Sequence, residues 1–563
     1  MKKNGKKVVI LGGGVGGMSS AHMLIRRGFD VEVYDILDIP GGKARSINVP
    51  NTGKDGRADL PGEHGFRFFP YFYKNLPETM QEIPYKDGKS CFDNLVPAAF
   101  AQLLRYGKMS VEMPAKLPSS LKEAIEDLYV FWKDKQADLG ITEDDLIFFM
   151  NRLWQIVTSC SDRRLAEYEQ MGWWQYTDAE NRSKAYQEVL VEGLTRSLVA
   201  ARAEVASTRS TGDILIQLIL GMMHFHESGD RLLNGPTNDV WINPWLSYLQ
   251  EQGVNYHFNS KVSEIKYANG SITGAVIQPI KNYDEPSGEP FEVTGDYYIT
   301  ALPVNNFAPL ITTEMLQVDP VFANIQKLAD YTAWMNGIQF YLDKDVKIVD
   351  GHSIYINSPW AVTSVSQPQF WHDFNMTDFG DGKVKGLISL DISDWDSIGT
   401  FIKKAAKDCS LEEIKQEVWE EVKASLNVDG KTVVTDDNLL GYFLDPDIVF
   451  NASGQQVECN REPLLVDQAN TWYLRPQAFT AIDNLFIASD YVATYTQIAC
   501  MEGANEAARR AVNCIIDASG VEADLCKVYS LHEPVILAPM RALDQKRFDK
   551  GLPWNDHWDI KFG

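Results

Sequence analysis

The sequence predicts an α/β protein in which one domain, built from separated stretches of chain, is joined to a second domain of mixed β-sheet and helices. Three observations carry this. A strand–glycine–helix–strand run ending in an acid opens the chain. A buried strand and a helix that starts at small residues lie near its end, and helical and strand-like segments alternate between them.

At 563 residues the chain is longer than one hydrophobic core supports, so two or three domains are expected. A net charge of −24 argues against nucleic acid, which needs a basic face, and weakens broad docking to anionic lipid. The short basic start, MKKNGKK, reads as a solvated tail. Cysteines at 91, 160, 409, 459, 500, 514 and 526 form no Cys-x-x-Cys pair, so neither a disulfide framework nor a metal site is expected and a reducing compartment fits. The N-terminus reads as having no signal peptide. No apolar run reaches the roughly 18 to 20 residues of a spanning helix, Ile214 to Met223 coming nearest. The expectation is a cytoplasmic protein with at most peripheral membrane contact.

Lys7 to Leu11 is an apolar strand ended by Gly12-Gly13-Gly14-Val15-Gly16-Gly17, which contains G-x-G-x-x-G. A helix is predicted over Met18 to Arg27, stopped by Gly28, then a strand, Val31 to Asp35. Gly12 permits the tight turn, Gly14 admits a pyrophosphate close to the backbone, and Gly17 lets the helix lie near the strand. The helix N-terminus offers unpaired N–H groups to phosphate. Asp35, 18 residues past Gly17, is placed to accept ribose hydroxyls. This is a Rossmann-type dinucleotide site. A second glycine pair with basic residues, Gly41-Gly42-Lys43-Ala44-Arg45, favours FAD over NAD, since it adds another backbone approach and cations near the phosphates. In Gly62 to Pro70 (GEHGFRFFP) the aromatics suit an apolar pocket wall. His64 and Arg67 are the candidate catalytic residues, with a structurally satisfied histidine the equal alternative.

Near the other end, Asn484 to Asp490 reads as a buried strand closing on a carboxylate suited to ribityl hydroxyls. Cys500-Met501-Glu502-Gly503-Ala504 opens a helix to about Ile516, whose positive end suits the N1/C2 carbonyl edge of an isoalloxazine. Together, GGGxGG, GGKxR and LFIASD followed by MEGA resemble the flavin amine oxidase and carotenoid (phytoene) desaturase superfamily. Gly62 to Pro70, Gly235 to Trp245 and Met501 to Asn513 are similar to its hydroxysqualene dehydroxylase-like branch. The resemblance implies that Gly12, Gly14, Gly16, Gly17, Asp35, Gly42, Lys43 and Arg45 contact the ADP half. It implies that Val262 meets adenine through its backbone, and that Asp490, Met501 and Gly503 serve the ribityl and flavin end. Two departures stand out: Asp35 where the family more often has Glu, and Ser489 where it usually has Gly.

Residues from about 117 to 227 show helical periodicity, as in Leu121 to Trp132, Glu143 to Val157, Ser183 to Ala200 and Thr211 to His226. Ile214, Leu218 and Met222 read as core, while Trp173-Trp174 and Met222-Met223 are candidates for a lipid channel. His224 and His226 are a poor metal pair, and Trp554 and Trp558 read as surface cover. The expected division is 1–75, 245–310 and 455–525 for the FAD-binding domain, 76–244 for a mainly helical lid, 311–454 for the substrate domain and 526–563 for a tail. The expected function is hydride transfer at flavin N5 on an apolar isoprenoid or lipid-like substrate: desaturation, reductive dehydroxylation or double-bond isomerisation. The rivals are an amine oxidase, which releases peroxide with amines, and a non-catalytic prenyl-lipid carrier, which is colourless. Oligomeric state is not legible.

Overall fold

The computed structural model describes residues 3–114, 139–193, 201–222 and 229–555. Its organising element is a five-stranded parallel sheet ordered Leu485–Ile487, Tyr297–Thr300, Lys7–Leu11, Asp30–Tyr34, Asn255–His257. Stretches almost 500 residues apart thus share one ladder, as in Thr300 opposite both Leu11 and Ile487. Val8 to Leu11 are fully buried in the centre of this sheet, which explains the unbroken apolar run. The helix Val15–Ile25 packs against the helix Met501–Ser519, closed by Gly520 at φ +64°.

Polar side chains tie these helices together. Asn505 donates to the hydroxyls of Ser19 (2.8 Å) and Thr79 (3.0 Å). The buried carboxylate of Glu502 accepts the backbone N–H groups of Lys74, Asn75 and Leu76 at 2.7–2.8 Å, so it serves the start of the helix Asn75–Gln81. Four N–H groups without partners at that helix start would otherwise be costly.

The second domain is a seven-stranded sheet ordered Leu439–Leu444, Asn336–Leu342, Gly386–Ile392, Thr363–Ser366, Gly351–Tyr355, Phe100–Arg105, Lys108–Pro114. The helix Leu411–Leu426 covers it through Ile414, Val418, Trp419 and Val422. The helices Glu143–Thr158 and Thr208–Met222 belong to a separate apolar cluster with Trp173 and Tyr186.

Several expectations are corrected. The first helix begins at Val15, not Met18, because Gly16 and Gly17 adopt helical backbone themselves. The region 76–244, expected to be mainly helical, also contributes strands: two extend the seven-stranded sheet, and Leu95–Ala98 pairs with Asp230–Leu233. Trp173 is fully buried in the helical core rather than lining a channel. Trp554 packs beside Trp154 and donates to the Thr158 hydroxyl at 3.2 Å. Leu121 to Trp132, Met223, His224, His226, Trp558 and the later part of Ser183 to Ala200 lie outside the described residues. No helix among the described residues is long and apolar enough to cross a membrane.

Candidate functional site

At the carboxyl end of the central strand the chain turns through Gly12, whose φ of +102° suits glycine and whose N–H donates to the Tyr34 carbonyl at 2.8 Å. A Cβ on Gly12 would meet the Ala301 backbone at 2.8 Å, one on Gly16 the Ala488 carbonyl oxygen at 2.1 Å, and one on Gly17 the Gly12 oxygen at 2.0 Å. These three glycines are dictated by backbone crowding. Gly14 differs: a Cβ there meets nothing closer than the Gly42 Cα at 3.6 Å, so the space before it is open. The second glycine pair abuts this point, with Gly41 at φ +111° and Gly42 at +55°. Two backbone loops therefore face one gap.

A cavity of about 340 Å³ occupies it, a volume ordinary for a small-molecule site. Its lining includes Gly12, Gly14, Gly16, Asp35, Gly42, Lys43 and, from the distant end of the chain, Asp490 and Met501. The helix that starts at Met501 is capped by Cys500, whose Sγ accepts the Gly503 N–H at 3.4 Å. Burial pushes the Cys500 thiol up to about 12, so it stays protonated.

Within this frame the acid and bases behave differently from expectation. Asp35 lines the cavity but spends both oxygens on backbone, accepting the Gly13 N–H at 2.5 Å and the Leu37 N–H at 2.8 Å. Burial raises its pKa to about 6 against the pull of those two donors. An aspartate too short to reach outward thus braces the turn, and Tyr256 adds to the brace by donating to the Gly13 carbonyl at 2.7 Å. Lys43 lines the cavity, yet its Nζ donates to the Pro463 carbonyl at 2.5 Å. Arg45 is absent from the cavity lining. It is buried in a network with Asp447 and Glu462 (3.2 Å to the latter) and donates to the Gly42 carbonyl at 2.8 Å. Its charge locks the glycine loop to the substrate domain.

His64 joins the same network, with Nδ1 2.7 Å from Asp445 and 3.4 Å from Asp447. Burial lowers its pKa, but the two carboxylates outweigh burial and hold it at about 9. It too is off the cavity lining, so its candidacy as a catalytic group is corrected: it is an ion-pair histidine. Although the sequence offers no metal-ligand spacing, the fold gathers His64, Asp445 and Asp447 with ligand atoms within 4.8 Å of one another. Arg45 supplies the cation there.

Three further assignments shift. Gly17 serves helix–turn packing, and Gly503 serves the helix cap rather than the cavity surface. Val262 packs its half-buried side chain on the core and does not line the cavity; Ser260 is the residue of that strand that meets Asp35, donating to its carbonyl at 2.7 Å. Ser489 lines the cavity and donates its hydroxyl to Asp490 at 3.3 Å.

Arg67 does reach the cavity, flanked by Phe66 and Phe68. Its Nε and Nη2 have no hydrogen-bond partner among the described residues, and burial lowers its pKa despite Glu63 and Asp391 nearby. Sequence reasoning missed the wall it belongs to: His352, Thr363 and Asp391 from the seven-stranded sheet, with Met335 just before one of its strands. One signal was present, an aspartate inside the largely apolar strand Gly386–Ile392.

Open space before Gly14, a second glycine loop and a free helix start all suit a flavin dinucleotide, and the residues present fit FAD. Comparison with known proteins agrees. The family model described as flavin containing amine oxidoreductase matches residues 15–516. The protein named "Probable zeta-carotene desaturase" of Synechococcus elongatus is 24% identical over 341 residues, 57% of this chain and 63% of its own. A 4,4'-diaponeurosporene oxygenase of Staphylococcus haemolyticus is 39% identical over 72 residues, 13% of each chain. A carotenoid phi-ring synthase of Chlorobaculum tepidum is 40% identical over 73 residues, 13% of this chain and 11% of its own. The chain thus spans less than two thirds of each of these relatives. Among solved structures, an oxidoreductase from Methanosarcina mazei has a TM-score of 0.57 at 14% identity, covering 91% of this chain and 100% of its own. A putrescine oxidase has a TM-score of 0.58 at 12% identity, covering 91% and 99%.

Proposed function

The chain belongs to the flavin-containing amine oxidoreductase family of FAD-dependent oxidoreductases, and from that premise we propose that it oxidises an apolar, isoprenoid-like substrate in the manner of a carotenoid desaturase. One observation carries the reading. The glycine turn near the start and the helix opening at Met501 line a single cavity that continues into a wall of Phe66, Phe68, Tyr73 and Met335. When bound, the flavin supplies a two-electron hydride acceptor at N5. The chain's own residues hold and exclude. Gly14 and Gly42 let the dinucleotide lie against backbone. The helix start at Met501 would hold the flavin end, and the aromatic wall would keep water from the reacting carbons while offering quadrupole stabilisation to developing positive charge.

Desaturation is favoured over dehydroxylation or isomerisation because the relative spanning 57% of this chain carries a desaturase name. A substrate of this kind resides in lipid. Peripheral membrane contact is proposed for the turn that exposes Val535 (82%) and Ile536 (76%), followed by a helix with exposed Lys546. Flotation with phosphatidylcholine vesicles tests it.

Purified protein should be yellow with bound FAD and should bleach anaerobically on mixing with zeta-carotene in such vesicles. Peroxide release with a diamine and no reaction with carotene would replace this reading by an amine oxidase. A colourless protein carrying lipid would replace it by a carrier.

A further inference from the structure

Desaturation removes a hydride from one carbon and a proton from its neighbour, so the cavity needs a base as well as an oxidant. Most ionisable groups on its lining are committed elsewhere. Asp35 is held by two N–H groups, Lys43 by a carbonyl, Glu462 by Arg45 and Asp490 by the Ser489 hydroxyl. Burial keeps the Cys500 thiol protonated and holds His352 neutral, its pKa lowered to about 4. Asp391 stands apart: it lines the cavity, and its Oδ1 has no hydrogen-bond partner among the described residues.

Its setting is built by two glycines. Asp391 stands between Thr363 and Gly337 in the sheet register. Because Gly337 lacks a Cβ, the chain at Gly65 can cross it: a Cβ there would lie 2.9 Å from the Gly65 Cα. A Cβ on Gly65 would in turn lie 2.6 Å from Asp391 Oδ1. The Glu63–Phe68 segment is thereby laid against the carboxyl, and the Phe66 N–H donates to it. The charged groups facing Asp391 are Arg67 and His64, which favour its ionised form, and Asp445 and Glu63, which oppose it. Burial dominates and raises its pKa to about 7. A carboxylate in that range is far more basic than an exposed one, yet still half ionised at neutral pH.

We propose that Asp391 is the catalytic base of this site, taking the substrate proton, and that Arg67 is the positioning residue that holds its carboxylate ionised beforehand. The inference rests on the desaturase reading. One C–H bond of the substrate breaks with its hydrogen and electron pair passing to the bound flavin, the oxidant. The neighbouring C–H bond breaks with its proton passing to Asp391, and its electron pair becomes the new π bond. The substrate loses two electrons and the flavin gains them, and Asp391 returns the proton to water after product leaves.

The test uses FAD-loaded protein and zeta-carotene in phosphatidylcholine vesicles, with anaerobic flavin bleaching as readout. In the native protein the bleaching rate should rise with pH through a midpoint near 7. Asp391→Asn should bind FAD normally, bleach about 100-fold or more slowly and lose the pH midpoint, while Asp391→Glu keeps measurable rate at a shifted midpoint. Arg67→Met should move the midpoint upward and Arg67→Lys largely restore it. Bleaching by Asp391→Asn within about threefold of native, at the same midpoint, overturns the proposal. If the native protein does not bleach at all, the desaturase reading fails. The basicity of Asp391 is then judged without substrate, by an infrared carboxyl band titrating near pH 7 that Asp391→Asn removes; its absence overturns the assignment.

Discussion

The two sides of the cavity are built from different material. The cofactor side is backbone: Gly12, Gly14, Gly16, Gly41 and Gly42 bring main chain to the cavity, with open space before Gly14 and close packing behind Gly12 and Gly16, and the Asp35 and Lys43 side chains are tied to backbone. The sheet side is made of side chains: Phe66, Arg67, His352, Thr363 and Asp391 project inward from strands and from one crossing segment. A backbone site binds what any dinucleotide shares, its phosphates. A side-chain site selects and reacts, and each group in it is desolvated, so its proton affinity is set by neighbours rather than by its own chemistry. Hence the cofactor is readable from the chain while the substrate is not.

The sharpest way to break this comparison is alanine at successive glycines. Gly16→Ala puts a methyl 2.1 Å from the Ala488 oxygen. It should cost about 3 kcal/mol or more in unfolding free energy, seen as a large fall in Tm together with flavin loss. Gly14→Ala should keep both fold and flavin, whereas Gly14→Val should stay folded but colourless. Equal losses at Gly14 and Gly16 would mean the two glycines do the same job.

Arg45 separates phosphate binding from structural pairing. Removing it as Arg45→Met leaves Asp447 and Glu462 buried without their cation, and should destabilise by about 3 to 5 kcal/mol in chemical denaturation. A variant with native stability but weakened FAD binding would restore the phosphate role.

The pH dependence of stability tests the side-chain wall. His64 is held at about 9, Glu63 is pushed to about 8 by burial and Asp391 to about 7. All three bind protons more tightly folded than unfolded. Their contribution is complete below the unfolded pKa values and is lost as pH rises through the folded ones, so Tm should fall between about pH 5 and 9. His64→Gln should flatten the alkaline part of that curve. The smallest effect is expected for Glu502→Gln, which keeps one acceptor for the Asn75–Gln81 helix start and should cost about 1 to 3 kcal/mol.

Much of the cofactor half was legible in the chain, because a turn with positive φ, a helix start and a buried parallel strand each leave a local signature. Gly12 to Gly16, Asp35, Asp490 and Met501 are all found on one cavity. Arg45 and His64 lie off the cavity for one reason: local spacing shows that a residue is near a loop, not which way its side chain turns. The partners that turned Arg45 and His64 away, Asp445, Asp447 and Glu462, lie some 400 residues downstream.

What the sequence determined alone is therefore the dinucleotide fold, its discontinuity and the flavin, since these follow from backbone sterics and hydrogen bonding within short stretches. The tertiary structure alone decided which ionisable groups face the cavity and which face each other. Burial and charge pairing depend on three-dimensional distance, and only folding brings Arg67 from one segment beside Asp391 from another.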